Sequence, residues 1–399
     1  MYVPNQKILE KYADLLVNFA LNSGDGVKED EVVMCALDDV AKPLLVELYR
    51  SILKAGAHPM MRMIPTGLNK IFYDNANDRQ LIFFPENYMK ARCDTINHQI
   101  GVISDVDPHE LKEVDPAKIF KTADASRKVR EWLFDKENRG EFTWTLGLYG
   151  TEAMAKEANM TLEEYWNVII EACYLDKADP IAEWRRILME QERIKKALDD
   201  LQIESLKIQG DNIDLTVKLG RYRKWMGGSG RNVPSYEIFV SPDWRGTEGK
   251  IYFNQPLYRY GNLIKDVSLV FKAGVVVDYD ASVGKNVIEN MLKRENANKI
   301  GEFSLTDSRF SRITKFTANT LFDENIGGKY GNTHIAVGMA YKDSYTGDPS
   351  KPTKDEWEQM GFNDSPEHTD IISTEDRLVT ATSFDGSNKV IYKAGKFTV

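Results

Sequence analysis

VVMCALDDVAKPLLVELYRSILKAGAHPMMRMI, residues 32–64, is the stretch whose reading sets the fold class. Residues 32–37 are a short apolar run of the buried-strand type. Asp38 and Asp39 follow with oxygens suited to cap a helix, and Pro43 fits an early helical turn, where its missing N–H is not needed. Leu44, Leu45, Leu48, Tyr49, Ile52 and Leu53 then recur on one helical face. Gly56 marks the stop, and residues 60–64 resume as a strand. Strand, helix and strand in this order predict a βαβ unit, with a right-handed crossover and parallel strands.

Working outward, residues 99–104 and 142–148 read as further strands of the same sheet. Upstream, Ile8, Leu9, Tyr12, Leu15, Leu16 and Phe19 lie at helical spacing. Downstream, Thr161 and Glu164 make a capping box in front of Tyr165, Val168, Ile169 and Ala172, and a charged, apolar-striped helix follows over 181–201. The character changes near residue 200. Ala273-Gly274, Ala394-Gly395 and Asp385-Gly386 are turn signals between strand-like segments, interrupted by one helix over 283–295. The expectation is an N-terminal α/β domain with a parallel sheet over 1–200, and a C-terminal α+β, largely antiparallel domain over 201–399.

A chain of 399 residues exceeds one ordinary core of ~100–200 residues, consistent with that division. With 42% hydrophobic and 28% charged residues, the composition is that of a globular protein. A net charge of −9 argues against a nucleic-acid partner, which requires a clustered basic face. Cys35, Cys93 and Cys173 are far apart and odd in number, so neither a disulfide framework nor a cysteine zinc site is expected; they read as small buried residues. No basic stretch followed by an apolar run opens the sequence, and no apolar run approaches the ~20 residues that span a bilayer. A cytoplasmic location without membrane attachment is expected. HExxH and GxSxG are absent, and Gly227-Gly228-Ser229-Gly230 lacks the Gly-Lys-Ser/Thr of a phosphate loop, so it reads as a flexible loop near the domain boundary.

The chemistry is sought among five histidines and their acidic neighbours. His368-Thr369-Asp370 places an imidazole and a carboxylate two residues apart, which on a strand puts both on one face, within reach of one ion. Taken alone, such a pair is more often a surface histidine beside a capping aspartate. His334 enters the apolar run Ile335-Ala336-Val337, where a hydrogen-bonded core histidine is the ordinary case. Tyr341, seven residues on, points away from His334 in a regular strand and needs a bulge or bend to share its face. Glu237 and Glu302 sit inside strand-like contexts. Glutamate is seldom buried without a partner, so the ordinary reading has each facing outward or paired with an arginine such as Arg231 or Arg309.

The ensemble changes this weighing. Glu237, Glu302, His334, Tyr341, His368 and Asp370 occur in the order and near-spacing of the aminopeptidase T family of metallopeptidases, the thermophilic-type metalloaminopeptidases, which the chain resembles over nearly its whole length. The contexts that carry the resemblance are Pro234 ahead of Glu237, Gly301-Glu302, His334-Ile335-Ala336-Val337-Gly338 and His368-Thr369-Asp370. It implies that these six residues bind two divalent ions, Zn²⁺ or Co²⁺ with Mg²⁺ or Mn²⁺ as alternatives, that Tyr341 and Glu302 also serve catalysis, and that the protein is a homodimer. It further implies hydrolysis of peptides with a free N-terminus by a metal-bound hydroxide, the α-amine being held by one ion. Charge balance agrees: Glu237, Glu302, Asp370 and a bridging hydroxide neutralise two divalent cations, which avoids burying net charge. Tyr341 as a phenolate ligand would need its ordinary pKa of ~10 lowered by the metal. Another metal-dependent amidohydrolase or dipeptidase, or a non-catalytic peptide-binding relative, stands as the alternative. The chain departs from the common pattern at Tyr236, where glycine is usual, and at Ser304-Leu305-Thr306-Asp307, where a Gly-rich turn is typical; the Trp244 region and residues 351–361 look like subgroup features. Glu248, in Gly246-Thr247-Glu248-Gly249, is a candidate proton shuttle, against the commoner reading of a salt-bridged surface glutamate.

Overall fold

Val32–Asp38 and His58–Ile64 are parallel strands joined by the helix Lys42–Lys54, as the opening stretch predicts. In the computed structural model, which describes residues 2–399, His98–Ile103 and Thr143–Leu148 complete a four-stranded parallel sheet. Its order runs from the His58 strand through the Val32 and His98 strands to the Thr143 strand. The helix Lys42–Lys54 buries a narrower stripe than its sequence suggests. Leu44, Leu48 and Ile52 are fully buried, whereas Tyr49 and Leu53 are exposed. Residues 49 and 53 each lie about 100° around the axis from 48 and 52, beyond the stripe a single sheet face can cover. The capping box forms as read: Thr161 Oγ1 accepts from the Glu164 N–H, and Glu164 accepts from the Thr161 N–H. All three cysteines are buried and none is in a disulfide.

The chain divides into two compact units, Met1–Glu183 with Ser229–Pro234, and Trp184–Gly228 with Ser235–Val399. The first division falls inside the helix Pro180–Asp200. The second unit holds an eight-stranded antiparallel sheet. From one edge it runs Val275–Asp280, Val267–Lys272, Glu248–Phe253, Ile213–Lys218, Ile203–Gly210, Leu378–Ser383, Asn388–Lys393 and Lys396–Phe397. Ala273 and Gly274 turn the edge hairpin with φ of 49° and 79°, the paired left-handed conformation that matches strand twist. A side chain at Gly274 would meet the Trp244 carbonyl at 2.2 Å, so glycine is needed for the approach as well as the angle. No helix among the described residues is long and apolar enough to cross a membrane.

A second sheet of four antiparallel strands, also within this unit, carries the candidate chemistry. Its order is His368–Ser373, Asn332–Gly338, Ile300–Thr306 and Glu237–Val240. The parallel sheet of the first unit and the antiparallel sheets of the second realise the expected fold class.

Candidate metal centre

The register sorts these strands into two faces. Phe303, Leu305, Ile335, Val337 and Ile371 occupy one, with Thr333, Thr369 and Ser373 among them, and Glu302, Ser304, Thr306, His334, Asp370 and His368 the other, with Ile372 and Phe239. An alternating antiparallel sheet normally turns its polar face to water. Here every residue of Ile300–Thr306 and Asn332–Gly338 is buried, so the polar face lies inside the protein. Side chains in that position must neutralise one another or hold something that does.

Directly opposed residues of an antiparallel pair share a face, so the register places the cluster. Ala336 lies between Glu302 on one side and Asp370 on the other. Ser304 opposes His334, Gly338 opposes His368, and Glu237 opposes Thr306. Five of the expected residues therefore line one face, with Ala336, Gly338 and Ser304 leaving room among them. One register irregularity aims Glu302: Ile300 pairs with Val337 and Glu302 with Ala336, leaving Gly301 as a bulge. A Cβ at Gly301 would stand 2.1 Å from the Met339 carbonyl oxygen, so the bulge closes against the turn that ends the neighbouring strand.

His334 is the hub. Its Nε2 lies 3.0 Å from Glu302 Oε1, 3.2 Å from Glu237 Oε2 and 4.0 Å from Asp370 Oδ1. His368 Nε2 is 3.6 Å from Asp370 Oδ1 and 3.9 Å from Glu302 Oε2. Its Nδ1 contacts the Met339 carbonyl at 2.9 Å; a carbonyl only accepts, so Nδ1 carries a proton and Nε2 is the ring nitrogen that faces the carboxylates. Tyr341 joins through its ring, edge-on to His368 at 5.0 Å between centroids and tilted against Phe239 at 6.0 Å. The structure thus brings all six expected residues together.

The bend required for Tyr341 is found after the strand. The His334 strand ends at Gly338, whose φ of 107° turns the chain, and the bulge sits on the partner strand. The outward or arginine-paired readings of Glu237 and Glu302 do not hold. Both are buried, while Arg231 pairs with Glu137 and Arg309 with Asp307. Glu248 is exposed and accepts the Ala273 N–H at 2.5 Å, as a hairpin clasp apart from the cluster. His58, His98 and His109 belong to the first unit and pair with Asp30, Glu31 and Glu157. Tyr236 is fully buried and stacks on Trp184 at 5.1 Å. Its N–H donates to Asn325 Oδ1 at 2.6 Å, which fixes the backbone just before Glu237.

One residue escaped the sequence reading. Glu324, buried just past the short helix Thr320–Asp323, has its carboxyl raised well above the usual range, first by burial and then by Glu237 and Asp370. Asn332 holds this segment, donating to the Glu324 and Ile326 carbonyls at 2.8 and 2.7 Å. Nothing in Asp323-Glu324-Asn325 distinguishes it from a polar loop, since no periodicity ties it to the strands on either side.

The electrostatics match a cation site. Burial pushes Glu302 up to about 7, the His334 contact opposing and the Glu237 and Asp370 charges adding to the rise. Burial alone would lower His334, but its bonds to Glu237 and Glu302 hold it well above the usual imidazole range. Protons are here the substitute for positive charge among crowded carboxylates. Glu237, Glu302 and His334 offer ligand atoms within 4.8 Å of one another. His334 Nδ1 and Asp370 Oδ1 are buried without a hydrogen-bond partner. Oxygen and imidazole donors, with no thiolate, suit Zn²⁺, Co²⁺ or Mn²⁺, so the residues present fit a metal.

A centre of carboxylates and imidazoles on an α/β plus α+β chain is that of a metal-binding protein. The chain belongs to the thermophilic metalloprotease family (M29), whose sequence pattern matches residues 5–397, and is a peptide-bond hydrolase. Aminopeptidase 2 of Geobacillus stearothermophilus is 28% identical, with 98% of each chain covered. Aminopeptidase PepS of Streptococcus thermophilus is 27% identical, with 100% of each covered. Wild-type AmpT from Thermus thermophilus has the same fold, with a TM-score of 0.85 over 99% of this chain and 100% of that one, at 21% identity. The resemblance to the aminopeptidase T family is thereby borne out.

Proposed function

We propose that this protein is a metal-dependent aminopeptidase that releases the N-terminal residue of peptides, and that Glu237, Glu302, His334, Tyr341, His368 and Asp370 hold two divalent ions. The observation that carries the reading is the convergence of Glu237, Glu302 and Asp370 around Nε2 of His334 on one polar sheet face. Ions bound there would supply a hydroxide nucleophile at neutral pH and polarise the scissile carbonyl.

The chain's own groups perform the remaining tasks. Tyr341, at the edge of the cluster, would give its phenol oxygen to an ion and so stand beside the developing oxyanion. Glu324, whose buried carboxyl is raised well above the usual range by burial and by Glu237 and Asp370, is the candidate for passing a proton to the leaving amine. Catalysis is assigned to residues 201–399, and a homodimer in the cytoplasm accompanies the reading through the family resemblance.

Chelation should abolish hydrolysis of aminoacyl p-nitroanilides, return of Zn²⁺ or Co²⁺ should restore it, and N-acetylated peptides should resist cleavage. Full activity in protein shown by elemental analysis to be metal-free would end the metal reading. Equal turnover of N-blocked peptides would end the aminopeptidase reading and favour a broader amidohydrolase.

A further inference from the structure

Tyr341 reaches the polar face on a segment that has already left the sheet. Beyond Gly338, three consecutive main-chain N–H groups are each held by one acceptor. Met339 donates to the Glu367 carbonyl at 2.7 Å and Ala340 to the Asn363 carbonyl at 2.9 Å. Tyr341 donates to Ser241 Oγ at 2.8 Å. The first two acceptors are backbone, present whatever the side chain. The third is a hydroxyl, and it acts on the residue whose phenol matters.

Ser241 directly follows the Glu237 strand. Val240 pairs with Phe303, so continuing the register sets Ser241 opposite Glu302, on the polar face. It is fully buried and anchored from both sides. Its N–H donates to Ser344 Oγ at 3.2 Å, and its carbonyl accepts from Arg223 Nε at 2.6 Å. Ser344 Oγ in turn donates to the Lys224 carbonyl at 2.8 Å, and the Ser344 N–H returns to the Tyr341 carbonyl at 3.3 Å. Ser241 and Ser344 thus form a reciprocal clip. Each hydroxyl accepts a main-chain N–H from the other's segment, joining the end of one strand to the turn that carries Tyr341.

We propose that Ser241 is a positioning residue for Tyr341, its hydroxyl oxygen setting where the phenol stands relative to Glu302 and His368. The inference rests on the reading of Tyr341 as part of the site. Without the oxygen, a main-chain N–H loses its partner, and the segment must shift to find another. The contacts of the Tyr341 ring with His368 and Phe239 hold the ring and leave the main chain that carries it to the Ser241 bond. A displacement of about 1 Å in a reacting group lowers rate on the order of 100-fold.

The test uses Ser241→Ala, Tyr341→Phe and the double variant. Amide hydrogen exchange across residues 339–344 is read on metal-free protein, and kcat and KM on metal-loaded protein. Ser241→Ala should speed exchange at Tyr341 on the order of 10-fold, leaving the Glu302 and His334 strands as protected as before. It should lower kcat about 10- to 100-fold with KM nearly constant, and lower it no further in the Tyr341→Phe background. Unchanged exchange at Tyr341, or an equal fall in kcat in both backgrounds, overturns the proposal. If Tyr341→Phe alone keeps wild-type kcat, the reading of Tyr341 fails and this inference falls with it. Should Ser241→Ala fail to fold, Ser344→Ala opens the same clip from its other half and is expected to show the same non-additivity with Tyr341→Phe. Additive losses there count equally against the proposal.

Discussion

Gly301→Ala removes no ligand and no hydrogen-bonding group, yet it should disable the centre. The new methyl carbon would stand 2.1 Å from the Met339 carbonyl oxygen and 2.5 Å from that of Gly338. Ordinary van der Waals contact needs roughly 1 Å more, and both obstacles are backbone, which cannot rotate aside as a side chain would. The strain must separate the Glu302 strand from the Gly338 turn. That moves Glu302 away from His334 and His368, and moves the segment leading to Tyr341. Overpacking of this kind costs about 1–3 kcal/mol of stability. The catalytic effect should be larger, because a displacement of about 1 Å at reacting groups costs on the order of 100-fold in rate. Thermal unfolding of metal-free protein gives the first quantity, and initial rates on an aminoacyl p-nitroanilide with bound metal measured in parallel give the second. A variant with wild-type kcat, metal content and unfolding temperature would show that the bulge does not aim Glu302.

Three other outcomes are expected. His368→Ala or Asp370→Ala should abolish hydrolysis and reduce bound metal while the circular dichroism of the fold persists; full activity with unchanged metal content would remove the pair from the site. Metal-free protein should lose stability as pH rises from about 4.5 to about 7, because folded Glu302 keeps its proton up to about 7 whereas in the unfolded chain it ionises near 4.5. Denaturant midpoints across that range should fall with pH in wild type and less steeply in Glu302→Gln; superimposable profiles would refute the assignment. Metal affinity should rise with pH over the same interval, since ion and proton compete for the same oxygens; calorimetric titration showing no such rise would count against Glu302 as a ligand.

Much of the architecture was legible because it depends on local periodicity. The 32–64 stretch announced its parallel strands through an apolar run, a helix with Pro43 in its first turn and a glycine stop, all of which act within a few residues; the side-chain cap expected from Asp38 or Asp39 does not form. The capping box at Thr161 and the hairpin at Ala273-Gly274 were readable for the same reason. The buried width of the helix Lys42–Lys54 was not. Tyr49 and Leu53 are as apolar as Leu48 and Ile52, and only the sheet beneath decides how far round the helix burial extends. Glu324 was invisible in the sequence because it enters the centre from a loop, where neither period 2 nor period 3.6 applies.

For the site, the sequence by itself determined the residue types, their order, and which of them share a strand face. His368 and Asp370 had to lie together if 368–373 was extended, because strand side chains alternate. The same rule said that His334 and Tyr341 could not lie together without a bend. Tertiary structure alone decided that the polar faces of four strands would be one face, and buried. Register between these strands is set by pairings as far apart in the chain as Thr306 with Glu237, and a slip of one residue would have turned every carboxylate into the apolar layer. It also decided that the bend falls at Gly338, that the bulge falls on the neighbouring strand at Gly301, and that the carboxylates stand close enough for burial and mutual repulsion to raise Glu302 and Glu324. A charge buried beside like charges is a property of distance in space, and separation along the chain carries no measure of it.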